Sequence, residues 1–452
     1  MFSRILVANR GEIAVRVIRA AHELGIEAVA IYSTSDADAM HVGLADRSVC
    51  IGPPAAAESY LRIPNVIAAA ATTGCDAVHP GYGFLAENPR FAEACAENEL
   101  VFIGPSPEVM RRLGDKVQAK AEMRDAGMPL VPGSEGATSL AEATTVAREI
   151  GFPVLLKAAA GGGGKGMRLV AAEDELGHAY AAAATEAEAA FGDGSLYVER
   201  AIVPTRHVEV QVLCDVDGGV LTLGERECSI QRRHQKLIEE SPACRLTDET
   251  RAAMEAAVET ACRQVGYANA GTFEFVIGPD GEPYFIEVNC RLQVEHPVSE
   301  LVTGIDIVHE QIRIAAGQPL AAVGRAPRSG HAIEIRINAE DPARGFAPAP
   351  GTVTRFRPPL GPGVRVDTAI ADGATIPAYY DSLLAKVIVH DATREAAIAR
   401  ALRALGELEV EGIPTTRELA LDVLRSPGFV VGDYSTSYLA DMEDRLPSMS
   451  AA

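Results

Sequence analysis

The sequence predicts a multidomain protein of mixed α/β and α+β class. Its 452 residues exceed the roughly 100–200 residues of a typical domain, so about two to four domains are expected. In the first quarter, short apolar runs alternate with helix-like stretches, which is typical of a parallel sheet with crossover helices. Strands in which polar and apolar residues alternate follow in the middle of the chain. The hydrophobic content of 48% and the lack of low-complexity segments exclude a disordered chain.

Residues 1 to about 113 are predicted to form an N-terminal Rossmann-like domain around a parallel sheet. Four short apolar runs are expected as buried strands, at 5–8, 28–32, 77–79 and 101–103. Three helix-like stretches lie between them, at 12–24, 64–72 and 88–97. The first turn, Asn9-Arg10-Gly11-Glu12, lacks the G-x-G-x-x-G spacing of dinucleotide-binding folds, which argues against NAD.

A second region, 114–328, and a third, 329–446, differ from the first in pattern. The second is predicted to begin with a helix at 115–126 and to continue through a loop of Pro, Gly and Ser into strands. Its clearest strand is 207–213, where polar and apolar residues occupy opposite faces. The third is a shorter α+β region that begins with an alternating strand at 331–338.

Charge and cysteine content exclude several classes of protein. Asp and Glu total 62 against 41 Lys and Arg, a net charge of −21, and so acidic a chain repels nucleic-acid phosphates. The eight cysteines form no C-x-x-C pair or Cys/His cluster, so a zinc site is not indicated. No run approaches the roughly 20 apolar residues of a membrane span, and the N-terminus lacks the features of a signal peptide. We therefore expect a cytoplasmic protein with reduced thiols and no nucleic-acid or membrane partner.

Four successive glycines, 161–164, suggest a loop that cradles phosphate groups. Their backbone N–H groups can approach anionic oxygens, and Lys165 adds positive charge. The run is not a P-loop, because Met167 stands where a Ser or Thr is required. A flexible β-hairpin loop is the alternative interpretation.

Lysine is rare in this sequence, so each position that carries a lysine is a candidate functional position. Arginine supplies most of the 41 basic residues, so a retained ammonium group suggests a site where the guanidinium fork does not fit. Chance retention is the alternative for any single position. The six lysines are Lys116, Lys120, Lys157, Lys165, Lys236 and Lys386.

Two glutamates on neighbouring predicted strands form the strongest cluster. Glu274 and Glu287 flank a hairpin-turn sequence at 278–281, and strand pairing brings them within about one residue of facing each other. Both are bracketed by bulky apolar residues, where an unpaired charge is costly. Mg²⁺ or Mn²⁺, held together with substrate phosphates, would neutralise them, and Asn289 lies on the same strand face. Structural glutamates paired with arginines are the alternative.

Candidates for anion binding and proton transfer follow this hairpin directly. If the chain stays extended, Arg291 shares the face of the carboxylates. A guanidinium beside a metal–phosphate site suits anion capture, and Glu295 nearby suits proton removal. Taken singly, His207 and His234 are interpreted as structural or ribose-binding rather than catalytic.

Five segments of the chain together carry a resemblance to a known family. They are His79-Pro-Gly-Tyr-Gly-Phe-Leu-Ala-Glu87, Gly114-Asp-Lys116, Lys157 with its glycine loop, Arg226-Glu-Cys-Ser-Ile-Gln-Arg-Arg-His-Gln-Lys236, and Phe285-Ile-Glu-Val-Asn-Cys-Arg-Leu-Gln-Val-Glu-His-Pro297. The combination resembles biotin carboxylase, the ATP-grasp component of acyl-CoA and pyruvate carboxylases. The resemblance extends over essentially the whole chain.

The resemblance implies a three-domain architecture and a reaction. An N-terminal biotin carboxylase domain (1–113) would precede an ATP-grasp domain (114–328) with a mobile lid at about 131–203, and a C-terminal α+β domain (329–446) would follow. ATP would phosphorylate bicarbonate to carboxyphosphate, and CO₂ would pass to the ureido nitrogen of biotin. This is the first half-reaction of an acyl-CoA carboxylase, as used in fatty acid biosynthesis.

The resemblance also implies a role for individual residues. Nucleotide contacts would come from Lys116, Lys157, His207, Gln231, His234, Glu274 and Glu287, with Gly163 and Gly164 over the phosphates. The adenine would meet Glu199, Arg200, Ala201 and Ile202. Two Mg²⁺ or Mn²⁺ ions would be held by Glu274, Glu287 and Asn289. Bicarbonate would be bound by Lys236, Arg291, Gln293 and Val294, with Glu295 as the base. Biotin would meet Tyr82 and Arg336, the latter stabilising its enolate.

Partners and alternatives follow from the same likeness. The sequence contains no Met-Lys biotinyl acceptor pair, so we expect biotin on a separate biotin carboxyl carrier protein, with carboxyltransferase subunits using the product. A homodimer is expected from the resemblance only. One alternative is another ATP-grasp ligase, such as a pyruvate carboxylase subunit, a carbamoyl-phosphate synthetase-like enzyme or a purine-pathway carboxylase. A catalytically silent assembly subunit is the alternative from a different class.

Overall fold

The computed structural model describes residues 1–136, 138–159 and 167–445. The first elements are β1 (Arg4–Val7), α1 (Gly11–Glu23), β2 (Glu27–Ser33), α2 (Met40–Leu44), β3 (Arg47–Gly52), α3 (Ile63–Thr73), β4 (Ala77–His79), α4 (Pro89–Glu97), β5 (Val101–Phe102) and α5 (Pro107–Gly114). The strands form one parallel sheet in the order β3-β2-β1-β4-β5. The four predicted strands and three predicted helices are confirmed to within one residue at each end.

Strand β3 is absent from the sequence prediction. It lies at the edge of the sheet beside β2, and most of its side chains are exposed or half-buried. An edge strand of this kind lacks the continuous apolar run of a strand covered on both faces, so hydrophobic patterning does not detect it.

Helix α1 buries an apolar face and carries an acidic residue into the interior with it. Ile13, Val17 and Ala21 recur at four-residue spacing and are buried, as expected for a helix that covers a sheet. Gly11 begins the helix with a φ of +68°, which a glycine adopts without strain. Glu12, in the first turn, is therefore buried as well.

The middle elements form two separate sheets. They are α6 (Lys116–Asp125), α7 (Leu140–Ile150), β6 (Val154–Ala158), β7 (Arg168–Val170), α8 (Glu173–Phe191), β8 (Leu196–Arg200), β9 (Arg206–Cys214), β10 (Val220–Arg232), β11 (Gln235–Ser241), α9 (Asp248–Val265), β12 (Asn269–Ile277), β13 (Pro283–Asn289), α10 (His296–Thr303), α11 (Ile307–Ala315) and β14 (Gly324–Arg325). Strands β7-β6-β8 form a small antiparallel sheet, which packs with α7 and α8 around its own apolar core. This unit lies within the stretch, about 131–203, that the sequence analysis expects as a mobile lid. The glycine run, with Gly163 and Gly164, lies outside the described residues.

The third region adds its strands to the central sheet. Its elements are β15 (His331–Asn338), β16 (Glu340–Asp341), β17 (Ala347–Pro348), β18 (Gly351–Thr352), β19 (Arg355–Arg357), β20 (Val364–Thr368), β21 (Thr375–Ile376), β22 (Leu383–Asp391), α12 (Arg394–Glu407), β23 (Glu409–Glu411), α13 (Arg417–Arg425), α14 (Pro427–Val431) and α15 (Tyr438–Arg445). The large sheet runs β13-β12-β9-β10-β11-β15-β22-β20, with β14 beside β10. The predicted boundary at 328/329 is thus crossed by one continuous sheet.

The junction between β11 and β15 is an antiparallel pairing buried on both faces. Ile238 pairs with Ile335, and Glu239 with Glu334. Pairing satisfies the backbone groups of two strands that would otherwise be buried edges. It also places charged residues of the second and third regions next to each other.

Among the described helices, none combines the length and the apolar composition that a bilayer crossing requires.

Candidate active site

The two hairpin glutamates are direct cross-strand partners. Glu274 on β12 faces Glu287 on β13, which confirms the predicted pairing. Glu274 also faces Glu209 on β9, the strand on the other side. Three carboxylates therefore lie side by side on neighbouring strands. Such a row is stable only with cations close to it.

Lys236 supplies the central positive charge. Its Nζ lies 2.6 Å from Glu209 Oε2, 2.6 Å from Glu295 Oε1 and 3.3 Å from Glu274 Oε1. Burial favours the neutral amine, but the surrounding acidic groups raise the pKa of Lys236 well above its ordinary value. The ammonium group is therefore charged at neutral pH and joins three acidic side chains from three parts of the chain.

Glu295 is a buried anion held by two cations. Its Oε1 accepts a hydrogen bond from Lys236, and its Oε2 accepts one from Arg336 Nη2 at 2.9 Å. Burial alone would raise its pKa, but Lys236 and Arg336 hold the pKa of this carboxyl well below its usual range. An ionised carboxylate between two fixed cations can accept a proton from an anionic ligand that those cations attract.

Arg336 reaches this carboxylate across the junction of β11 and β15. Its Nε donates to Glu239 Oε1 at 2.7 Å, so the guanidinium bridges Glu239 and Glu295. Burial raises the pKa of Glu239 to about 7. The sequence analysis did not identify Glu239, because only the pairing of the two strands brings it to Arg336.

Arg291 lies beside the carboxylates, although the chain there is not extended as predicted. Strand β13 ends at Asn289 and the chain turns, so the expected extended backbone at Arg291 is wrong. The guanidinium nevertheless donates to Asn289 Oδ1 at 3.0 Å and to Gln293 Oε1 at 2.7 Å. Its Nε pairs with Glu87 Oε2 at 2.9 Å, so a residue from the first region holds it in place. Glu87 is the last residue of the 79–87 segment, and no role was assigned to it from sequence.

Two further residues of this loop, Gln293 and Val294, make contacts on opposite sides of it. Gln293 Nε2 donates to Glu274 Oε1 at 3.0 Å. The carbonyl oxygen of Val294 accepts from Lys386 Nζ at 2.8 Å. The loop between β13 and α10 is thus tied to the hairpin on one side and to β22 on the other.

Two lysines flank Glu199 near the small sheet. Lys157 Nζ lies 2.6 Å from Glu199 Oε2, and Lys120 pairs with the other oxygen. Lys116 Nζ lies 3.7 Å from Glu287 Oε2. The amino groups of three lysines therefore lie at this end of the site, where they suit a polyphosphate. Burial and the neighbouring lysines lower the pKa of Lys120 to about 6, and a bound polyanion would favour its charged form. Lys120 was noted as a rare lysine, but no role was assigned to it from sequence.

Three of the four residues expected at the adenine line the active-site cavity, and the fourth does not. Glu199, Arg200 and Ile202 line the cavity described below. Ala201 does not, and its backbone N–H donates to the carbonyl of Pro153 at 3.0 Å.

The two histidines occupy different environments. His207 Nε2 lies 2.8 Å from Glu274 Oε2. Burial would lower the pKa of His207, but Glu274 raises it above its ordinary value. His234 is exposed in the two-residue turn between β10 and β11, where both Arg233 and His234 have positive φ, as a tight hairpin requires. Gln231, just before this turn, is buried.

The hairpin carboxylates fit a divalent cation. Burial would raise the pKa of Glu274, yet Lys236 and His207 hold it far below its usual range. Burial and the charge of Glu274 raise the pKa of Glu287, whose ion pair with Lys116 is long, at 3.7 Å between Nζ and Oε2. Two adjacent oxygen donors with one under-compensated charge suit Mg²⁺. Asn289 turns its amide nitrogen to Glu274 Oε1 at 2.8 Å, so its oxygen does not face the pair.

One cavity of about 1180 Å³ unites these groups. It is lined by residues of all three regions, which the sequence places up to several hundred positions apart. The predicted site residues that line it are Tyr82, Lys116, Lys157, Glu199, Arg200, Ile202, His207, Gln231, His234, Lys236, Glu274, Glu287, Asn289, Arg291, Gln293, Val294, Glu295 and Arg336. The structure therefore brings together nearly all of the residues singled out from sequence.

Family models match the chain in three consecutive segments. These are "Biotin carboxylase, N-terminal domain" at residues 1–110, "Carbamoyl-phosphate synthase L chain, ATP binding domain" at 115–323, and "Biotin carboxylase C-terminal domain" at 334–441.

Individual relatives match over nearly the full length. A biotin carboxylase of Nostoc sp. is 51% identical over 443 residues, which cover 98% of this chain and 99% of the relative. A crystal structure of a biotin carboxylase–β-γ-ATP complex from Campylobacter jejuni matches with a TM-score of 0.95 and 48% identity, covering 98% of this chain and 99% of that one. The biotin carboxylase domain dimer of Hydrogenobacter thermophilus 2-oxoglutarate carboxylase, solved with MgADP, ADP and bicarbonate, matches with a TM-score of 0.94 and 47% identity, covering 99% and 98%.

Proposed function

This chain belongs to the biotin carboxylase family, and we propose from that premise how its own residues perform the reaction. The protein is an ATP-dependent ligase that carboxylates biotin with bicarbonate. The observation that carries the proposed residue roles is the position of Lys236. It links Glu274 of the carboxylate pair to Glu295 within one cavity.

ATP and Mg²⁺ are the cofactors, and Mn²⁺ suits the same oxygen donors. Glu274 and Glu287 would hold the metal, which neutralises charge on the phosphates when bound. Asn289 is proposed as a further ligand once its amide turns over, because its Oδ1 now accepts a hydrogen bond from Arg291 and its nitrogen faces Glu274. Lys116 and Lys157 bind the phosphates, exchanging their present carboxylate partners for phosphate oxygens. Phosphoryl transfer depends mainly on such positioning and charge neutralisation.

Bicarbonate binds between Lys236 and Arg291. Lys236 donates to Glu295 and Arg291 donates to Gln293, so both cations lie against the loop that carries Gln293 and the Val294 backbone. Glu295 accepts the bicarbonate proton, and a bicarbonate oxygen attacks the γ-phosphorus of ATP, releasing ADP and forming carboxyphosphate. Because carboxyphosphate is labile, closure of the small three-stranded unit over the cavity would exclude water.

Biotin binds at the other side of Glu295. Carboxyphosphate breaks down to CO₂ and phosphate, the phosphate takes the proton from the ureido nitrogen of biotin, and the deprotonated nitrogen attacks CO₂. Arg336, already held against Glu295 and Glu239, stabilises the negative charge on the enolate oxygen of biotin. Tyr82 lies in the same cavity and faces the biotin ring in this proposal.

The expected product is ADP, whose release should require bicarbonate and should be stimulated by biotin. Purified protein with Mg-ATP and bicarbonate should release ADP faster when free biotin is added, and omission of bicarbonate should abolish that release. Release that needs bicarbonate but ignores biotin would contradict biotin as the acceptor. Release that needs neither would contradict the proposed site as a whole.

The partners are proposed from the family. Biotin is carried on a separate carrier protein, and carboxyltransferase subunits use the carboxylated product, as in an acyl-CoA carboxylase of fatty acid biosynthesis in the cytoplasm. A pyruvate carboxylase subunit remains the alternative context, because the same half-reaction serves both.

The dimeric relative from Hydrogenobacter supports a homodimer. Sedimentation equilibrium at micromolar concentration should therefore give twice the mass of the chain. A single-chain mass under those conditions would contradict the dimer.

A further inference from the structure

Lys386 is a fully buried lysine on β22, outside the lining of the active-site cavity. Its Nζ donates to the carbonyl oxygen of Val294 at 2.8 Å. It also lies 3.2 Å from Glu12 Oε1 on α1 and 3.8 Å from Asp367 Oδ2 on β20. One ammonium group thus contacts all three sequence regions behind the cavity wall.

The contact with Glu12 continues to Tyr82. The Tyr82 hydroxyl donates to the same oxygen, Glu12 Oε1, that faces Lys386. The second oxygen of Glu12 is buried and accepts no hydrogen bond from the described residues. The carboxylate is therefore held through one oxygen, by Lys386 from one side and by Tyr82 from the other.

A lysine suits this position better than an arginine. The ammonium group directs its donors from a single point to a carbonyl and two carboxylates, whereas a guanidinium presents a planar fork. Burial would lower the pKa of Lys386, but Glu12, Glu334 and Asp367 raise it, so the charge is retained. This accounts for a lysine in a chain whose basic residues are mostly arginine.

We propose that Lys386 is a positioning residue that couples the bicarbonate loop to the biotin side of the cavity. By holding the Val294 carbonyl it fixes the peptide that leads into Glu295. Through Glu12 it orients the hydroxyl of Tyr82. The inference rests on the proposed function, in which Val294 contacts bicarbonate and Tyr82 contacts biotin. It adds a residue, Lys386, that contacts neither substrate.

The decisive variant is Lys386→Met, which keeps the length of the side chain and removes its donors. We expect the KM values for bicarbonate and for biotin each to rise about tenfold or more, as for other residues that orient a site from behind. The KM for ATP should stay within about twofold, because Lys116 and Lys157 make no contact with Lys386. Unchanged KM values for bicarbonate and biotin, or an equal rise for all three substrates, would overturn the proposal.

Asp367→Asn is the matched control for lost stability. It removes the second of the two carboxylates paired with the same lysine and weakens the pair with Arg365, yet it touches neither Val294 nor Tyr82. The expected result is a lower Tm with bicarbonate and biotin KM values within about twofold of the wild type. A rise in both values equal to that of Lys386→Met would attribute the effect to general loosening and overturn the proposal.

Glu12→Leu tests the link from Lys386 to Tyr82 separately from the link to Val294. It also serves as the test if Lys386→Met does not fold. It cuts the link to Tyr82 but leaves the lysine on Val294, with Asp367 as its counter-ion. The KM for biotin should rise about tenfold while that for bicarbonate stays within about twofold. An unchanged biotin KM would overturn the proposal. Failure of the wild-type protein to show biotin-dependent ADP release would instead count against the proposed function.

Discussion

Replacing Glu295 by glutamine is expected to lower kcat for bicarbonate-dependent ADP formation by about 10²–10⁴-fold, the usual range for loss of a general base. Glutamine keeps the size of the side chain but cannot accept the bicarbonate proton. It also removes one of the carboxylates that Lys236 and Arg336 each contact. Nucleotide binding should survive, because the ammonium groups of Lys116 and Lys157 are remote from these contacts. Steady-state ADP release and equilibrium ATP binding measure the two quantities separately.

The chain offers a matched control in Glu334. It is fully buried on β15, and neither of its oxygens accepts a hydrogen bond among the described residues. Burial raises the pKa of Glu334 well above its ordinary value, and glutamine closely matches this side chain in size and shape. Glu334→Gln should therefore keep kcat within about twofold. Equal losses in the two variants would show that Glu295 has no special role as a base.

Replacing Glu287 by glutamine should raise the Mg²⁺ concentration needed for half-maximal activity by about 10–100-fold at saturating ATP. The amide supplies one neutral oxygen where the carboxylate supplies a negative charge, and Mg²⁺ binding depends on that charge. Glu274 remains, but Lys236 and His207 already compensate its charge. Titration of ADP release with MgCl₂ provides the measurement.

Glu282→Gln is the control for this second prediction. Glu282 lies in the same hairpin turn, is exposed, and does not line the cavity. Its Mg²⁺ dependence should equal that of the wild type. An unchanged Mg²⁺ requirement in Glu287→Gln would remove this residue from the metal site, whereas an equal shift in both variants would indicate a nonspecific charge effect.

Patterns within short stretches of sequence predicted much of this molecule correctly. The alternation of apolar runs and helices predicted the parallel N-terminal sheet, because buried strands and amphipathic helices have distinct periods. The turn at 278–281 predicted the pairing of Glu274 with Glu287, since a short turn determines the register of its two strands. The edge strand β3 was missed because its exposed residues carry no such pattern.

The extended chain expected at Arg291 shows where local reasoning fails. The strand pattern of β13 ends at Asn289, and nothing in the next few residues signals a turn strongly. The guanidinium reaches the carboxylates because Glu87, about two hundred positions earlier, holds it. Glu239 was missed for the same reason, since its contact with Arg336 exists only where β11 pairs with β15.

The sequence by itself determined the family, the N-terminal sheet, the carboxylate hairpin and the residue types that the chemistry requires, because each of these depends on neighbours close along the chain. Only the tertiary structure decided which buried basic side chain pairs with which buried acidic side chain. It joined Lys236 to three glutamates, Arg336 to Glu295, and Lys386 to Val294 and Glu12. A buried charged side chain is stable only beside an oppositely charged group. The packing of strands that are distant in sequence, rather than spacing along the chain, determines which group that is.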